Sequence, residues 1–296
     1  MGAYIRDLYR DELRDGFLVT FDRKKVWNVE LNLAVLLDGI CRAHGLRYFM
    51  GAETLLGAVR HRGFIPWEDA MVFLMPRPDY DRLKAVVAEA LPAVYFFQDE
   101  YTDPGFMGGG ARLQDSRTTA IEEPENRLRH QGIGIDIRPL DDISDGSPEE
   151  EAIVAAQGEL WATVCHPEGI REGLRQGAKS ALSEEELWAL LALSREERMR
   201  QFEGIAAERY GTSRSVGDLT AVICGEGAVF SRAWFAPLVE LPFEGLRFPA
   251  PAGYDEILRR AYGNYRQFQI PEARETKVLY SADLPYTKCI EEIDFS

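Results

Sequence analysis

Two short stretches hold the side chains best suited to chemistry. In the first, Gly51, Glu53 and Thr54 stand at the expected start of a helix. Arg60, His61 and Arg62 then crowd one turn, and Glu68 and Asp69 follow a Pro-Trp pair. In the second, Gly132 to Leu140, Asp136 and Arg138 alternate with Ile133, Ile135 and Ile137. Guanidinium groups give planar, charge-assisted donors to phosphate oxygens, and the amides at a helix start favour anions. A lone aspartate between isoleucines is costly to bury uncompensated, so Asp136 must be paired, hydrated or metal-bound. The chemistry these residues suit is the handling of phosphate groups, with His61 as a phosphate contact or a general base.

The elements that must position them follow from period and punctuation. A strand ending near Met50, a helix from about Thr54 to Arg60, a tight turn at His61-Arg62-Gly63 and a strand from about Glu68 to Leu74 form one unit. It closes on a helix from Pro78 to about Leu91. On the predicted strand, Glu68, Ala70 and Val72 share one face and Asp69 and Met71 the other. Upstream, apolar residues at three- and four-residue spacing from Arg23 to Ala43 predict an amphipathic helix with Trp27 in the core. Residues 1–22 are polar and are expected to form a docked helix with a loop at Gly16.

Downstream, Tyr95 to Gln98 predicts a strand. The run Gly108-Gly109-Gly110 is either a hairpin turn or a backbone cradle for phosphate. It leads to a strand with Arg112, Gln114 and Ser116 on one face, and Thr118 and Thr119 read as β-formers in an edge strand. Asp141 and Asp142 are expected in a loop at the strand end. Three Ser-capped, acid-started helices follow from Ser147, Ser183 and Ser194. Residues 219–248 return to strand-like pieces, and a last helix stops at Gly263 with Tyr262 and Tyr265 at its end.

Composition sets outer bounds. In 296 residues, 46% apolar content supports a sizeable core, and a formal net charge of -15 argues against a general nucleic-acid partner. Four cysteines without CxxC spacing read as thiols of a reducing compartment. No apolar run approaches a membrane span and the start lacks a signal-peptide core or a myristoylation pattern. A cytoplasmic protein without a transmembrane segment is expected, which is compatible with an acceptor carried on a membrane lipid.

The runs GAETLLGAVRHRGFIPW and MPRPDY, together with KKVWNVELNL upstream, resemble the LicD family of phosphotransferases, which includes the fukutin-related enzymes. The segment GIDIRPL resembles that family's Ile-Asp-Ile-x-Pro-Leu-Asp strand, and FEGLRF with PAPAGYDEILRRAYGNY its closing element. The resemblance covers roughly residues 23–275. It implies a nucleotidyltransferase-like fold and a two-metal transferase using Mg2+ or Mn2+. Such an enzyme moves a phosphoalcohol, phosphocholine or ribitol phosphate, from a CDP-activated donor to a sugar hydroxyl of a cell-surface glycan.

By that resemblance Asp136 and Glu68 are metal ligands, and Asp136, Asp69 and His61 are catalytic. Gly51, Glu53, Thr54, Arg60, Arg112, Thr119, Arg138 and Tyr262 bind substrate. The family's strand after Pro-Trp carries alternating aspartates; here two of those positions are Ala70 and Val72, whose side chains cannot ligate a cation that wants oxygen donors. Three accounts fit: an inactivated variant, a pseudoenzyme that binds CDP-alcohols or phosphorylated glycan, or a site rebuilt around Glu68, Asp69 and Asp136. A nucleotidyltransferase that modifies a small molecule or protein is the further alternative on fold alone.

Mixed strands and helices followed by a helical part predict an α+β fold with a small mixed sheet. The expected organisation is an N-terminal extension (1–22), a core (23–145) and a helical C-terminal region (146–296) that closes with a strand, turn and helix.

Overall fold

A computed structural model describes residues 2, 4–267 and 278–292. The end of the resembling stretch, beyond residue 267, and Met1 lie outside the described residues. The fold is α+β, in two compact units: Met1–Met75, Asp79–Arg138 and Trp234–Ser296 form one, Pro76–Pro78 and Pro139–Ala233 the other.

The first unit opens with a hairpin, not the expected docked helix. Strands β1 (Glu12–Arg14) and β2 (Phe17–Val19) pair antiparallel around Asp15 and Gly16, which have φ of 50° and 84°. Asp-Gly between two short strands is the sequence that tolerates this left-handed turn. Helix α1 (Phe21–His44) is capped by the Thr20 hydroxyl at one end and stopped by left-handed Gly45 at the other. Its apolar stripe is buried as expected. Trp27 is fully buried and stacks on Phe64 with ring centroids 4.6 Å apart, and Phe64 meets Phe243 at 4.9 Å. Such aromatic pairs add about 0.5–1.5 kcal/mol beyond the area they bury.

Next come β3 (Phe49–Met50), α2 (Ala52–Arg60), β4 (Val72–Pro76) and α3 (Arg77–Ala90). Two expectations are corrected. Helix α2 starts two residues early, at Ala52, and β4 starts at Val72 instead of Glu68. The cause of the second is visible in α1: the Trp27 indole N–H donates to the Glu68 carbonyl at 3.0 Å and to Asp69 Oδ1 at 3.1 Å. Residues 68 and 69 are thus held by a side chain of the helix and not by a strand ladder. The turn after α2 depends on two glycines, because a Cβ on Gly57 would lie 2.4 Å from the Gly63 carbonyl oxygen.

Strands β5 (Tyr95–Gln98), β6 (Ala111–Asp115), β7 (Thr119–Ile121) and β8 (Ile133–Ile143) complete this part. Within the first unit the neighbours run β3, β4, β8, β6, β5. The alternation read in the sequence holds on β8: Ile133, Ile135 and Ile137 are buried, while Gly134, Asp136 and Arg138 line the opposite, half-open face. Across β6 and β8, Arg112 is the Cα partner of Asp136.

The second unit is mainly helical: α4 (Pro148–Cys165), α5 (Pro167–Arg175), α6 (Glu184–Ala192) and α7 (Arg195–Arg209), then β9 (Ser215–Gly217), α8 (Leu219–Ile223) and β10 (Phe230–Ser231). Ser147, Ser183 and Ser194 cap α4, α6 and α7 as expected, the last two with full capping boxes to Glu186 and Glu197. LTAVICG is not a strand: Asp218 caps Leu219–Ile223 as a short helix. Asp141 and Asp142 belong to β8 and are buried, not in a loop. Asp141 takes two 2.6 Å hydrogen bonds from Arg77, and Asp142 accepts from the amides of Gly211 and Ser213 and from Arg232.

The chain then returns to the first unit through the hairpin β11 (Leu238–Phe243) and β12 (Leu246–Pro251), α9 (Tyr254–Tyr262), β13 (Leu279–Ser281) and α10 (Tyr286–Glu292). Gly263 caps α9. Three ties join this return to earlier parts of the chain. Glu244, in the hairpin turn, accepts from the Phe64 amide at 3.2 Å, donates its own amide to the Arg62 carbonyl at 2.8 Å and pairs with Arg14. Strand β13 pairs antiparallel with β7, and Lys25 pairs with Asp283 at 2.8 Å. No described helix is long and apolar enough to cross a membrane.

Candidate functional site

Most of the expected site residues fall into two clusters, both in the first unit. The first centres on Asp136. Its amide donates to the Met71 carbonyl at 2.8 Å, which sets Asp136 beside residues 70–72, at the start of the neighbouring strand. Met71 is buried while Ala70 is exposed and Val72 half-buried, so the side chains at 70 and 72 share the open face with Asp136. Asp136 Oδ1 accepts from Arg112 Nε at 2.6 Å and Oδ2 from Arg138 Nη2 at 3.1 Å. Arg112 Nη1 also reaches Glu122 Oε1 at 3.0 Å, and Arg138 donates to the Gly108 carbonyl.

Burial works to raise the Asp136 pKa, but the guanidinium groups of Arg112 and Arg138 outweigh it and hold the carboxylate below its ordinary range. Arg112 is itself shifted up: burial opposes its charge, and Asp136 and Glu122 more than compensate.

A carboxylate missed in the sequence completes this cluster. Glu30, on α1, is 2% exposed, and its Oε2 has no hydrogen-bond partner among the described residues. Its pKa is pushed well above the ordinary carboxylate value by burial first, then by the charges of Asp69 and Asp136, with Arg23 offsetting only part. Asp69 pairs with Arg23 at 3.1 Å and accepts from Trp27; burial raises its pKa, while Arg23 and Trp27 counter that rise.

The second cluster gathers at α2. Tyr262 Oη donates to Glu53 Oε1 at 3.3 Å, and burial, with the charges of Glu53 and Glu68 nearby, raises the Tyr262 pKa. Arg60 lies 3.1 Å from His61 Nε2 and donates to the Tyr265 carbonyl at 3.4 Å. His61 Nδ1 sits 2.7 Å from Asp15 Oδ2. Its pKa is lowered, burial and the Arg60 charge outweighing the hydrogen bond to Asp15.

The remaining expected residues have structural partners. Thr54 is buried and its hydroxyl accepts from the Val72 amide at 2.7 Å, tying α2 to β4. The Gly51 amide donates to the Val72 carbonyl at 2.9 Å, and a Cβ at Gly51 would lie 2.5 Å from Leu74 Cγ. Thr119 Oγ1 donates to the Leu284 carbonyl at 2.7 Å. In the glycine run, the Gly109 amide is taken by Glu100 Oε1 at 2.6 Å, and Gly110 packs where a Cβ would meet the Ile137 carbonyl oxygen at 2.7 Å. That is the hairpin-turn role; the amide of Gly109 already has its anion.

The residues present do not fit a two-metal centre. Both Asp136 oxygens are engaged by guanidinium groups, Asp69 is held by Arg23 and Trp27, and positions 70 and 72 offer only methyl groups. Among the described residues no group of three or more His, Cys, Asp or Glu side chains is arranged to hold a metal ion.

The α+β fold thus sets two guanidinium groups, donors suited to phosphate oxygens, on the open face of its sheet beside the strand that follows Pro-Trp. Residues 45–122 match the family described as LicD/FKTN/FKRP, nucleotidyltransferase domain. The chain is also 24% identical over 265 residues to the lipopolysaccharide cholinephosphotransferase LicD of Haemophilus influenzae, covering 83% of this chain and 91% of the relative.

Proposed function

We propose a phosphocholine-transfer kind of function. The chain would take a phosphoalcohol of the phosphocholine or ribitol-phosphate type from a CDP-activated donor and present it to a sugar hydroxyl of a glycan. The observation that carries this reading is the pair of guanidinium groups, Arg112 and Arg138, converging on Asp136 on the half-open face of the sheet. Guanidinium donors fixed by packing neutralise charge on a phosphoryl group without reorganisation. The similarity to a cholinephosphotransferase along most of both chains supports the same assignment.

A second reading, a binding module without turnover, is favoured by a specific observation: neither Asp69 nor Asp136 is an available base, since each already accepts from charged or N–H donors. Calorimetry with CDP-choline, paired with assay of CMP release, separates the two. Turnover by the chain as it stands supports the transferase. Turnover only after Ala70→Asp with Val72→Asp marks a silenced enzyme, and binding without turnover in either form marks a sensor. Absence of CDP-choline binding overturns the proposal, and pyrophosphate release from a nucleoside triphosphate would replace it with a nucleotidyltransferase.

A further inference from the structure

We propose that the Arg112–Arg138 pair binds a phosphate of the ligand directly, with no divalent cation between them, and that Asp136 is the internal anion which that phosphate displaces. This rests on the phosphate-seat reading above and goes beyond it by naming what holds the phosphate.

The argument starts from charge on one face. With aspartates at 70, 72 and 136 the face would carry three negative groups and would repel a phosphate unless cations intervened. Here positions 70 and 72 are neutral, so the carboxylates paired with Arg112 and Arg138 are Asp136 and, at the Arg112 edge, Glu122. The two carboxylates that aspartates at 70 and 72 would add are absent from the point where a donor phosphate would sit. Glu122 takes another Arg112 nitrogen, but on a more exposed side chain, 35% against 20% for Asp136.

The geometry is that of anion recognition. Asp136 presents one oxygen to each arginine, at 2.6 and 3.1 Å, as two oxygens of a phosphate would be presented. The donors are fixed before any ligand arrives. Arg112 projects from β6 directly across from Asp136 on β8, and Arg138 stands two residues along β8 with a nitrogen held on the Gly108 carbonyl. Gly110 lets that approach happen, since a Cβ there would lie 3.0 Å from Arg138 Cδ. A phosphate arriving at this point competes with a carboxylate that makes the same two hydrogen bonds. The diphosphate brings two negative charges, one on each phosphorus of a CDP-alcohol, against the single charge of the carboxylate, and guanidinium groups match phosphate geometry.

This arrangement makes the sign of one substitution diagnostic. If Asp136 held a metal, Asp136→Asn would weaken phosphate binding and chelation would abolish it. If Asp136 competes with the ligand, the same change strengthens binding. The test is calorimetric titration of the full chain with sodium pyrophosphate and with CDP-choline, in EDTA and in magnesium. The expected result is affinity for CDP-choline within about twofold in the two buffers, at least threefold tighter binding by Asp136→Asn, and at least tenfold weaker binding by Arg138→Gln.

Thermal melts of each variant verify folding. Should Asp136→Asn fail to fold, Arg138→Gln and the EDTA comparison still decide, because Arg138→Gln leaves the Arg112–Asp136 pair intact. Binding that requires magnesium, or loss of binding in folded Asp136→Asn, overturns this inference and leaves the proposed function standing. No binding of either probe in either buffer overturns both.

Discussion

Glu30→Gln offers the most direct physical test of the site's electrostatics. Glu30 is 2% exposed, has one carboxylate oxygen without a partner among the described residues, and lies in the field of Asp69 and Asp136. Burial and those two charges raise its pKa well above the ordinary 4.5, so the folded protein keeps a proton that the unfolded chain releases. The sign follows from linkage. The stability that protonated Glu30 permits is fully present below the unfolded value near 4.5 and is lost as pH rises toward the folded one.

Glutamine keeps the shape and removes the titration. Wild type should therefore lose stability relative to the variant as pH rises above 4.5, by about 1.4 kcal/mol at most for each pH unit in that window. Urea unfolding of both proteins at half-unit steps from pH 4.5 to 7.5 measures the gap. Asp69 and Asp136 are common to both proteins, so the difference reports Glu30. Stabilities that run parallel across the range, within about 0.5 kcal/mol, would refute the claim that Glu30 is buried in its neutral form.

Three further outcomes follow from contacts in the fold. Trp27→Phe should keep the stack on Phe64 but lose the indole donor to Glu68 and Asp69, costing about 1–3 kcal/mol in denaturant unfolding. Arg77→Met should cost about 3–5 kcal/mol by leaving Asp141 charged and unpaired in the core; adding Asp141→Leu should recover much of the loss in the same assay. His130, whose pKa burial lowers to about 4 against the opposing pull of Asp103 and Asp115, should stay neutral at pH 5.5 in an NMR titration of its ring proton. The stability its neutral ring contributes is present above pH 6.5 and is lost as pH falls toward 4.

How much of this was legible in the sequence varies with the range of the interaction. The α1 stripe and the β8 alternation are local periodicities, and both appear where the spacing put them. Asp136 between isoleucines announced that it needed a partner. Which partner depended on Arg112, 24 residues away, arriving as its cross-strand neighbour. Glu30 was also readable, since Val26, Glu30, Leu33 and Leu37 lie on one helical face and a carboxylate in that stripe must be buried. The Asp15-Gly16 pair between two short strands signalled a hairpin that reading by polarity took for a helix. Asp141 and Asp142 carried loop-forming identities, and only their distant partners Arg77 and Arg232 explain why they stay in a strand. The displaced start of β4 was not readable at all, because the donor that holds Glu68 and Asp69 sits 41 residues upstream.

The clasp of Glu244 on Arg14, Arg62 and Phe64 has a consequence for biosynthesis. The stretch that matches the LicD family ends at residue 122, yet its basic turn is held by a residue translated more than a hundred codons later, and β7 waits for Leu279–Ser281. On the ribosome this part of the chain must remain incompletely packed until residues 244 and 279–281 have emerged. Contacts of such sequence separation form slowly and leave sticky surface exposed meanwhile. Nascent chains stalled before residue 244 should accordingly recruit chaperones, and an excised 45–122 fragment should not hold its native turn.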